Sequence, residues 1–326
     1  NHRFDQISYA PGTTVDDLAY SYASPINAII VDENAFNINI IPGKTGQHPR
    51  IQSTLPANIV SLSNQIVSTQ QYQQNCPLII TSHSNNHYLL TGCISRKSGK
   101  STQTLAIRNI AQATEIEIQQ LLRQNKISLK GHITIGRTPK KTTVIAMHFS
   151  PPLSLLIKKM LKESDNLISN DLIKTICYQR LHIPGNFHQG IIMMKQIISK
   201  FAQINLDNSR ISDGAGLSRY NLITPNQVAK LLIAITHNST LKRTIIPALP
   251  IAGKDGTLEA RMKPLAKKQR LLAKTGTLSG VSNIAGYLDT KHHGRLIAAF
   301  LINQFPSKVA PIRKWTDGVL THLALY

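Results

Sequence analysis

The pattern of apolar residues changes character near residue 140, and this change limits the folds that the chain can adopt. Residues 25 to about 100 contain short apolar runs separated by turn-forming residues, which is typical of β-strands. After residue 150, apolar residues recur every three or four positions, as on one face of a helix. Helix starts are predicted at Ser150–Pro151 and at the capping box Thr224–Gln227. Strand-like segments return from Leu271 to Gln304, and a helical pattern runs from Val309 to Leu325. The later order of helices, strands and a helix predicts an α+β fold.

The basic, proline-containing stretch from Thr138 to Thr142 is the predicted domain boundary. It separates a β-rich region, residues 1–140, from a second region, residues 141–326. A chain of 326 residues is long enough for two domains of roughly 150 residues each. Within the first region we expect a hairpin across residues 28–41, a helix over 104–125 and a strand over 127–137.

Cys76 and Cys93 flank two strand-like segments, Pro77–Thr81 and His87–Thr91, that turn-forming residues connect. A hairpin centred between residues 84 and 85 pairs residues whose numbers sum to 169, which would place the two cysteines opposite each other. The pattern leaves two alternatives open, a disulfide formed in an oxidising compartment and a pair of buried thiols. Cys177 is expected to be free and buried.

The chain carries 37 basic and 16 acidic residues, a net charge of +21, which implies an anionic partner. Nucleic acid, anionic lipid and the polyanionic bacterial envelope each satisfy that requirement. Aromatic residues make up only 5% of the chain and do not interleave with the short basic clusters, so nucleic-acid binding is not expected. No apolar run reaches the roughly 18 residues that a membrane-spanning helix needs.

Two short motifs each occur twice. Lys-Thr-Gly is found at Lys44–Gly46, between prolines, and at Lys274–Gly276, within a strand pattern. Ser-x-Asn is found at Ser84–Asn86, in a turn, and at Ser164–Asn166, where two helical patterns meet. Taken alone, Ser164–Asn166 is better explained by a helix cap. The first Lys-Thr-Gly is not a phosphate loop, because Ile38 stands where the earlier glycine is required.

Ser-x-Asn and Lys-Thr-Gly are two of the three elements that serine penicillin-recognising enzymes arrange around one nucleophile. A serine that attacks an amide needs a base, donors for the developing oxyanion, and cationic or hydroxyl groups for the terminal carboxylate of the substrate. A Lys-Thr-Gly strand supplies a cation and a hydroxyl, and its glycine leaves room for substrate against the backbone. A Ser-x-Asn loop supplies a proton-relay hydroxyl and an amide.

Four longer stretches occur in order along the chain: Lys162–Asn166, Asp213–Ile223, Leu249–Glu259 and Ala273–Tyr287. Together they resemble the class C low-molecular-mass penicillin-binding proteins, the D-alanyl-D-alanine carboxypeptidase/endopeptidases of the bacterial periplasm. The resemblance covers essentially the whole chain, and both Cys76 and Cys93 match it. It implies an α+β, penicillin-recognising serine transpeptidase/β-lactamase-like domain. By this resemblance, residues 1–140 belong to inserted domains, and residues 141–326 are the C-terminal portion of the catalytic domain.

The resemblance also implies roles for individual residues. Ser164, Asn166 and Lys274 are expected to be catalytic. Thr275, Gly276 and Thr277 are expected to bind substrate, and the backbone N–H of Thr277 is expected to help form the oxyanion hole. Asp213, Ser218 and Arg219 are interpreted as structural support near the site.

The nucleophile of the family is a serine followed three residues later by a lysine, and it precedes the inserted domains. The single Ser-x-x-Lys of this sequence is Ser239–Lys242, which follows Ser164. A cap-and-turn role is favoured for Ser239 over catalysis. The chain is therefore expected to be the C-terminal part of a longer peptidase and to be unable to form an acyl-enzyme alone.

The implied activity is serine-type hydrolysis of peptidoglycan stem peptides through an acyl-enzyme, with no metal or organic cofactor. Stem peptides ending in D-Ala-D-Ala are the expected substrates, β-lactams the expected inhibitors, and the periplasm the expected location. The basic surface would favour peripheral contact with anionic envelope components. The alternative is a catalytically silent peptidoglycan-binding remnant that retains the carboxylate-recognition groups without a nucleophile.

Overall fold

The computed structural model describes residues 2–136, 141–268, 270–306 and 308–325. The chain divides into two compact units, Asn1–Thr142 and Thr143–Tyr326. Most of the predicted boundary, Thr138–Thr142, lies outside the described residues. Among the described helices, none combines the length and the apolar character that crossing a bilayer requires.

The described part of the first unit contains eight strands and one α-helix. They are β1 (Ala35–Ile41), β2 (Arg50–Ser53), β3 (Ser61–Asn64), β4 (Val67–Thr69), β5 (Ile79–Ser82), β6 (His87–Thr91), β7 (Cys93–Ser95), β8 (Ser101–Ala106) and α1 (Ile110–Gln124). β1 lies between β2 and β8, β6 lies between β3 and β5, and β4 pairs with β7. Alternate residues of β1, including Ile38 and Ile40, are buried and form the core with Tyr88, Leu90 and Leu105.

The predicted hairpin across residues 28–41 is wrong, because residues 28–31 form no strand and β1 pairs with β2 and β8 instead. Asn34 explains the difference. Its side-chain amide donates to the backbone oxygens of Pro25 and Ile29, and its side-chain oxygen accepts the N–H of Val31 at 3.1 Å. One buried side chain thus satisfies backbone groups that a strand would have paired.

The helix predicted from Thr104 begins later, at Ile110, where Asn109 caps it by accepting the N–H of Gln112. Residues Ser101–Ala106 form β8 because they pair along β1, and this tertiary pairing overrides the local helical pattern. The strand predicted over 127–137 is also wrong, since residues 127–136 form no strand, and residue 137 lies outside the described part.

β5 and β6 form the expected hairpin, but Ile80 lies opposite Leu90, so the paired numbers sum to 170 and the predicted register was off by one. Cys76 and Cys93 nevertheless form a disulfide, with their Cα atoms 5.3 Å apart. The irregular backbone at Gly92, whose φ is +91°, comes between the hairpin and Cys93. Any side chain at Gly92 would collide with the carbonyl oxygen of Pro77, and this close approach brings the two cysteines together. In the second unit, Cys177 is free and buried, as predicted.

The described part of the second unit combines six α-helices with one antiparallel sheet. The helices are α2 (Leu153–Lys159), α3 (Asn166–Leu181), α4 (Phe187–Ala202), α5 (Pro225–His237), α6 (Ser239–Ile245) and α7 (Val309–Leu325), and the strands are β9 (Leu271–Leu278), β10 (Val281–Asp289) and β11 (Arg295–Asn303). The strand order is β11-β10-β9, so β9 is an edge strand of the described sheet. α7 packs against one face of the sheet and α5 against the other. The α+β fold is confirmed.

Two predicted helix starts can be compared with the structure. Thr224 and Gln227 form the predicted capping box at the start of α5. The start predicted at Ser150 and Pro151 is wrong, since α2 begins at Leu153 after Pro152. Two consecutive prolines explain the delay, because a residue that precedes a proline is disfavoured in helical geometry.

Candidate active site

Ser164 lies at a bend between two helices. It ends a π-helical turn, Met160–Ser164, which continues directly from α2, and its φ of +64° is left-handed. Asp165 then caps α3, because its carboxylate accepts the N–H of Ile168 at 2.9 Å. The cap begins a new helix, so the preceding backbone must change direction at Ser164. Left-handed backbone at a non-glycine residue is strained, and such strain is concentrated at functional sites.

Lys274 of β9 joins this bend to the sheet. Its Nζ donates hydrogen bonds to Ser164 Oγ and to the backbone oxygen of Thr275, both at 2.7 Å. Both acceptors are neutral, so they offset less of the cost of removing an ammonium from water than a carboxylate would. Burial therefore lowers the pKa of Lys274 to about 8.

A partly buried ion pair braces the helical turn that precedes Ser164. Lys162 Nζ contacts both carboxylate oxygens of Asp255 at 2.6 Å and donates to the backbone oxygen of Leu249, also at 2.6 Å. The side chain of Lys162 is only 13% exposed, against 36% for Asp255. Three close oxygens around one ammonium hold the loop after α6 against the turn that ends at Ser164.

The same loop also contacts β9. Thr275, the residue after Lys274, donates a hydrogen bond from its Oγ1 to Thr257 Oγ1 in this loop at 2.8 Å. Gly256 has a φ of +59°, and a side chain at this position would come within 2.7 Å of the backbone oxygen of Lys162. The loop therefore fits closely between the turn and the strand, and it ties the Ser-x-Asn motif to the Lys-Thr-Gly motif.

The end of β9 offers hydroxyl groups and open space. Thr275 and Thr277 are two residues apart on a strand, so their side chains point to the same face of the sheet. Thr277 is exposed, and its Oγ1 accepts a hydrogen bond from Arg313 Nη2 at 2.8 Å. A side chain built at Gly276 would meet only Asn283, at 3.6 Å or more. A ligand can thus approach the backbone of β9 beside Gly276.

The stretch around Asp213 forms a compact loop beside these elements. The buried carboxylate of Asp213 accepts the backbone N–H groups of Gly216, Leu217 and Ser218, each at 2.9 Å. Arg219 Nη1 then donates to the backbone oxygen of Ser279, directly after β9, at 2.9 Å. These contacts connect the loop to the end of the Lys-Thr-Gly strand.

The structure therefore brings Ser164, Lys274 and Thr275 together, and it places Asn166 two residues from Ser164 as the first residue of α3. Ser239, from the single Ser-x-x-Lys, is exposed as the first residue of α6. Asn238 rather than Ser239 caps that helix, by accepting the N–H of Leu241 at 2.9 Å. The predicted cap was therefore displaced by one residue.

Sequence reasoning gave no role to three residues that contact the motifs: Asp255, Thr257 and Arg313. Asp255 and Thr257 lie in the stretch Leu249–Glu259, whose length and order did signal importance. No local pattern singled out Arg313, because its contact with Thr277 depends on the packing of α7 against the sheet.

Comparison with known proteins identifies the family of the chain. The model of the D-Ala-D-Ala carboxypeptidase 3 (S13) family matches residues 2–322. The D-alanyl-D-alanine carboxypeptidase DacB of Haemophilus influenzae is 34% identical over 324 residues, which cover 95% of this chain and 67% of that protein. A D-alanyl-D-alanine carboxypeptidase of Actinomadura sp. (strain R39) is 26% identical over 95% of this chain and 59% of its own length.

The fold is similar to the crystal structure of penicillin-binding protein 4 (dacB) from Haemophilus influenzae, with a TM-score of 0.86 and 28% identity, over 99% of this chain and 73% of that one. A structure of the same protein in complex with a β-lactam has a TM-score of 0.78 and 28% identity, over 92% of this chain and 71% of that one. Because the family model spans almost every residue, this chain belongs to the D-Ala-D-Ala carboxypeptidase 3 (S13) family.

Proposed function

We propose that this chain supplies the Ser-x-Asn and Lys-Thr-Gly elements of a serine-type D-Ala-D-Ala carboxypeptidase/endopeptidase that acts on peptidoglycan stem peptides. One observation carries the proposal. The 2.7 Å hydrogen bond from Lys274 Nζ to Ser164 Oγ joins two motifs whose residues are 110 positions apart. The fold places both groups beside an edge strand with open space at Gly276.

Ser164 acts in this proposal as a proton relay. Its Oγ accepts a hydrogen bond from Lys274, so its own hydroxyl proton is free to be donated elsewhere. When the acyl-enzyme forms, the lysine of the Ser-x-x-Lys segment accepts the proton of the attacking serine and passes it to Ser164, which at the same time gives its own proton to the leaving amide nitrogen. The ammonium of Lys274 stabilises the negative charge that develops on the serine oxygen during the transfer.

The remaining groups position the substrate. An extended peptide binds along the outer edge of β9 beyond Ala273, because the first three residues of the strand already pair with the loop Pro250–Ala252. The side-chain amide of Asn166 holds a substrate carbonyl, and the backbone N–H of Thr277 donates to the oxyanion. The hydroxyls of Thr275 and Thr277 face the carboxylate end of the peptide.

The nucleophile in this proposal is the serine of the Ser-x-x-Lys segment that the family places before its inserted domains. Ser239 is not given this role, because its Ser-x-x-Lys follows Ser164 in the chain, whereas the family places its nucleophile first. Water hydrolyses the acyl-enzyme in the final step. We place the reaction in the periplasm, where the net charge of +21 favours peripheral contact with anionic envelope components.

A second candidate is a catalytically silent peptidoglycan-binding protein. It is favoured by the order of the motifs, because the single Ser-x-x-Lys of this sequence follows Ser164. Such a protein would bind stem peptides at β9 without forming a covalent bond.

Covalent labelling by fluorescent penicillin separates the two candidates. For the natural full-length protein we expect labelling and release of D-alanine from a peptide that ends in D-Ala-D-Ala. The 326-residue chain alone is expected to remain unlabelled. A folded full-length protein that is neither labelled nor active would contradict the proposed peptidase, and labelling of the 326-residue chain would contradict our placement of the nucleophile.

A further inference from the structure

Arg313 lies within the first two turns of α7, and its guanidinium reaches the end of β9, where Nη2 donates to Thr277 Oγ1 at 2.8 Å. The face of the sheet that carries Thr275 and Thr277 is the one that α7 covers, since Leu271 and Ala273, which alternate in phase with them, pack against α7. Arg313 therefore approaches the two threonine hydroxyls from their own side of the sheet.

The charge of Arg313 is not paired within the part of the chain that the structure describes. Its hydrogen bond goes to a neutral hydroxyl, and its Nε is buried without a hydrogen-bond partner. The only acidic residue of α7, Asp317, forms an ion pair with Arg261 at 2.6 Å. A partly desolvated guanidinium with no carboxylate beside it is costly unless a ligand supplies the anion.

We propose that Arg313 binds the terminal carboxylate of the substrate together with the hydroxyls of Thr275 and Thr277, an inference that rests on the proposed function. A guanidinium presents parallel N–H donors that match the two oxygens of a carboxylate, and it stays charged at physiological pH. Because Thr277 Oγ1 accepts from Arg313, the proton of its own hydroxyl can be donated to the same carboxylate. Arg313 thus makes a free carboxylate a requirement for good substrates.

The test compares two substrates of the full-length protein, an acyl-D-Ala-D-Ala peptide with a free carboxylate and the same peptide with a C-terminal amide. Arg313→Ala is expected to lower kcat/KM for the peptide acid by about 10- to 100-fold, mainly through KM. The kcat/KM for the peptide amide, which is already low in the unmodified protein, is expected to stay the same. Arg313→Lys keeps the charge but loses the planar pair of donors, so it should give an intermediate value.

Lys314→Ala is the matched control, since it removes one positive charge from the adjacent, exposed position of the same helix. It should retain the activity of the unmodified protein on both peptides. Equal losses on acid and amide in Arg313→Ala would show a purely structural role and overturn the inference, as would an equal effect of Lys314→Ala.

Direct binding separates this inference from the proposed function. Penicillin labelling and D-alanine release by the unmodified protein test the peptidase itself. If both are absent, calorimetric titration with N-acetyl-D-Ala-D-Ala still tests Arg313, because binding should weaken at least about tenfold in Arg313→Ala and not in Lys314→Ala. Equal binding by the Arg313→Ala and unmodified proteins, or no binding by either, would overturn the inference.

Discussion

The tripeptide Lys-Thr-Gly occurs twice in this chain, in two different environments. Lys44–Gly46 lies in a turn between β1 and β2, where Lys44 is exposed and the φ of Gly46 is +84°. Lys274–Gly276 lies within β9, where Lys274 is half-buried and hydrogen-bonded to Ser164. The three letters are the same, but only the second copy has a desolvated ammonium beside another motif. Tertiary context therefore sets the chemistry of the tripeptide.

Replacing the two lysines tests this contrast with the largest expected effect. Lys274→Ala should slow acylation of the full-length protein by penicillin at least about 100-fold, because it removes a preorganised cation from the reacting groups. Lys44→Ala removes the same side chain from the exposed copy and should leave the rate unchanged. The measurement is the second-order rate constant of labelling. Equal rate constants for the two variants would contradict the catalytic role proposed for Lys274.

The pH dependence of acylation sharpens the comparison further. With a pKa of about 8, Lys274 is mainly protonated at neutral pH, and its ammonium form is lost as the pH rises above that value. If this form is required, the acylation rate should fall about tenfold per pH unit above pH 8. Lys274→Arg stays charged in this range, so its remaining activity should not show that fall. A rate for the unmodified protein that is flat up to pH 9.5 would contradict the role.

The ion pair that braces Ser164 can be compared with a neighbouring exposed pair. Asp255→Ala leaves Lys162 with its charge largely buried, so we expect the free energy of unfolding to fall by about 1–3 kcal/mol. Glu163→Ala breaks a 4.0 Å pair with Lys159, in which the side chains are 38% and 65% exposed, and should cost about 0.5 kcal/mol or less. Urea denaturation of both variants measures the difference, and similar values would show that the brace contributes little.

The smallest effect concerns the backbone at the two Ser-x-Asn motifs. At Ser164, whose φ is +64°, glycine should be more stable than alanine by about 1 kcal/mol, since both variants lack the hydroxyl and only glycine avoids the left-handed strain. Ser84 does not have a positive φ, so alanine should there be at least as stable as glycine. Thermal unfolding of the four variants measures the difference in stability between glycine and alanine at each position. If glycine were more stable than alanine at both positions, or less stable at both, the proposed difference in backbone strain would be contradicted.

Several features of the fold could be predicted from local patterns. The closing helix α7, the strands of the second unit and the capping box at Thr224 are where the sequence places them, because each depends on residues within a few positions. The failures have non-local causes. The last three residues of β8 were predicted as helix because its partner strand β1 begins 66 residues earlier in the chain, beyond the reach of a local pattern. The segment before β1 was predicted as strand because the buried contacts of Asn34 are not visible in a pattern.

The candidate site shows the same division. Motif order and the resemblance to a family predict Ser164, Asn166 and Lys274–Thr277 as site residues. Lys162 and Asp255 lie in two of the matching stretches, but no pattern predicted their contact across 93 positions. Arg313, 36 positions from its partner Thr277, lies in none of those stretches. Both contacts depend on how a loop or a helix packs against its neighbours, which the spacing of residues does not specify.

The amino-acid sequence by itself determined most of the helices and strands of the second unit, the family and the candidate site residues, because hydrophobic period, caps and motifs can be recognised from the order of residues along the chain. Only the tertiary structure decided which copy of Lys-Thr-Gly meets Ser-x-Asn, how strongly the pKa of Lys274 falls, and which side chains brace the site. The physical reason is that hydrogen bonds and desolvation act over a few ångströms in space, and folding brings into that range residues that are far apart in the chain.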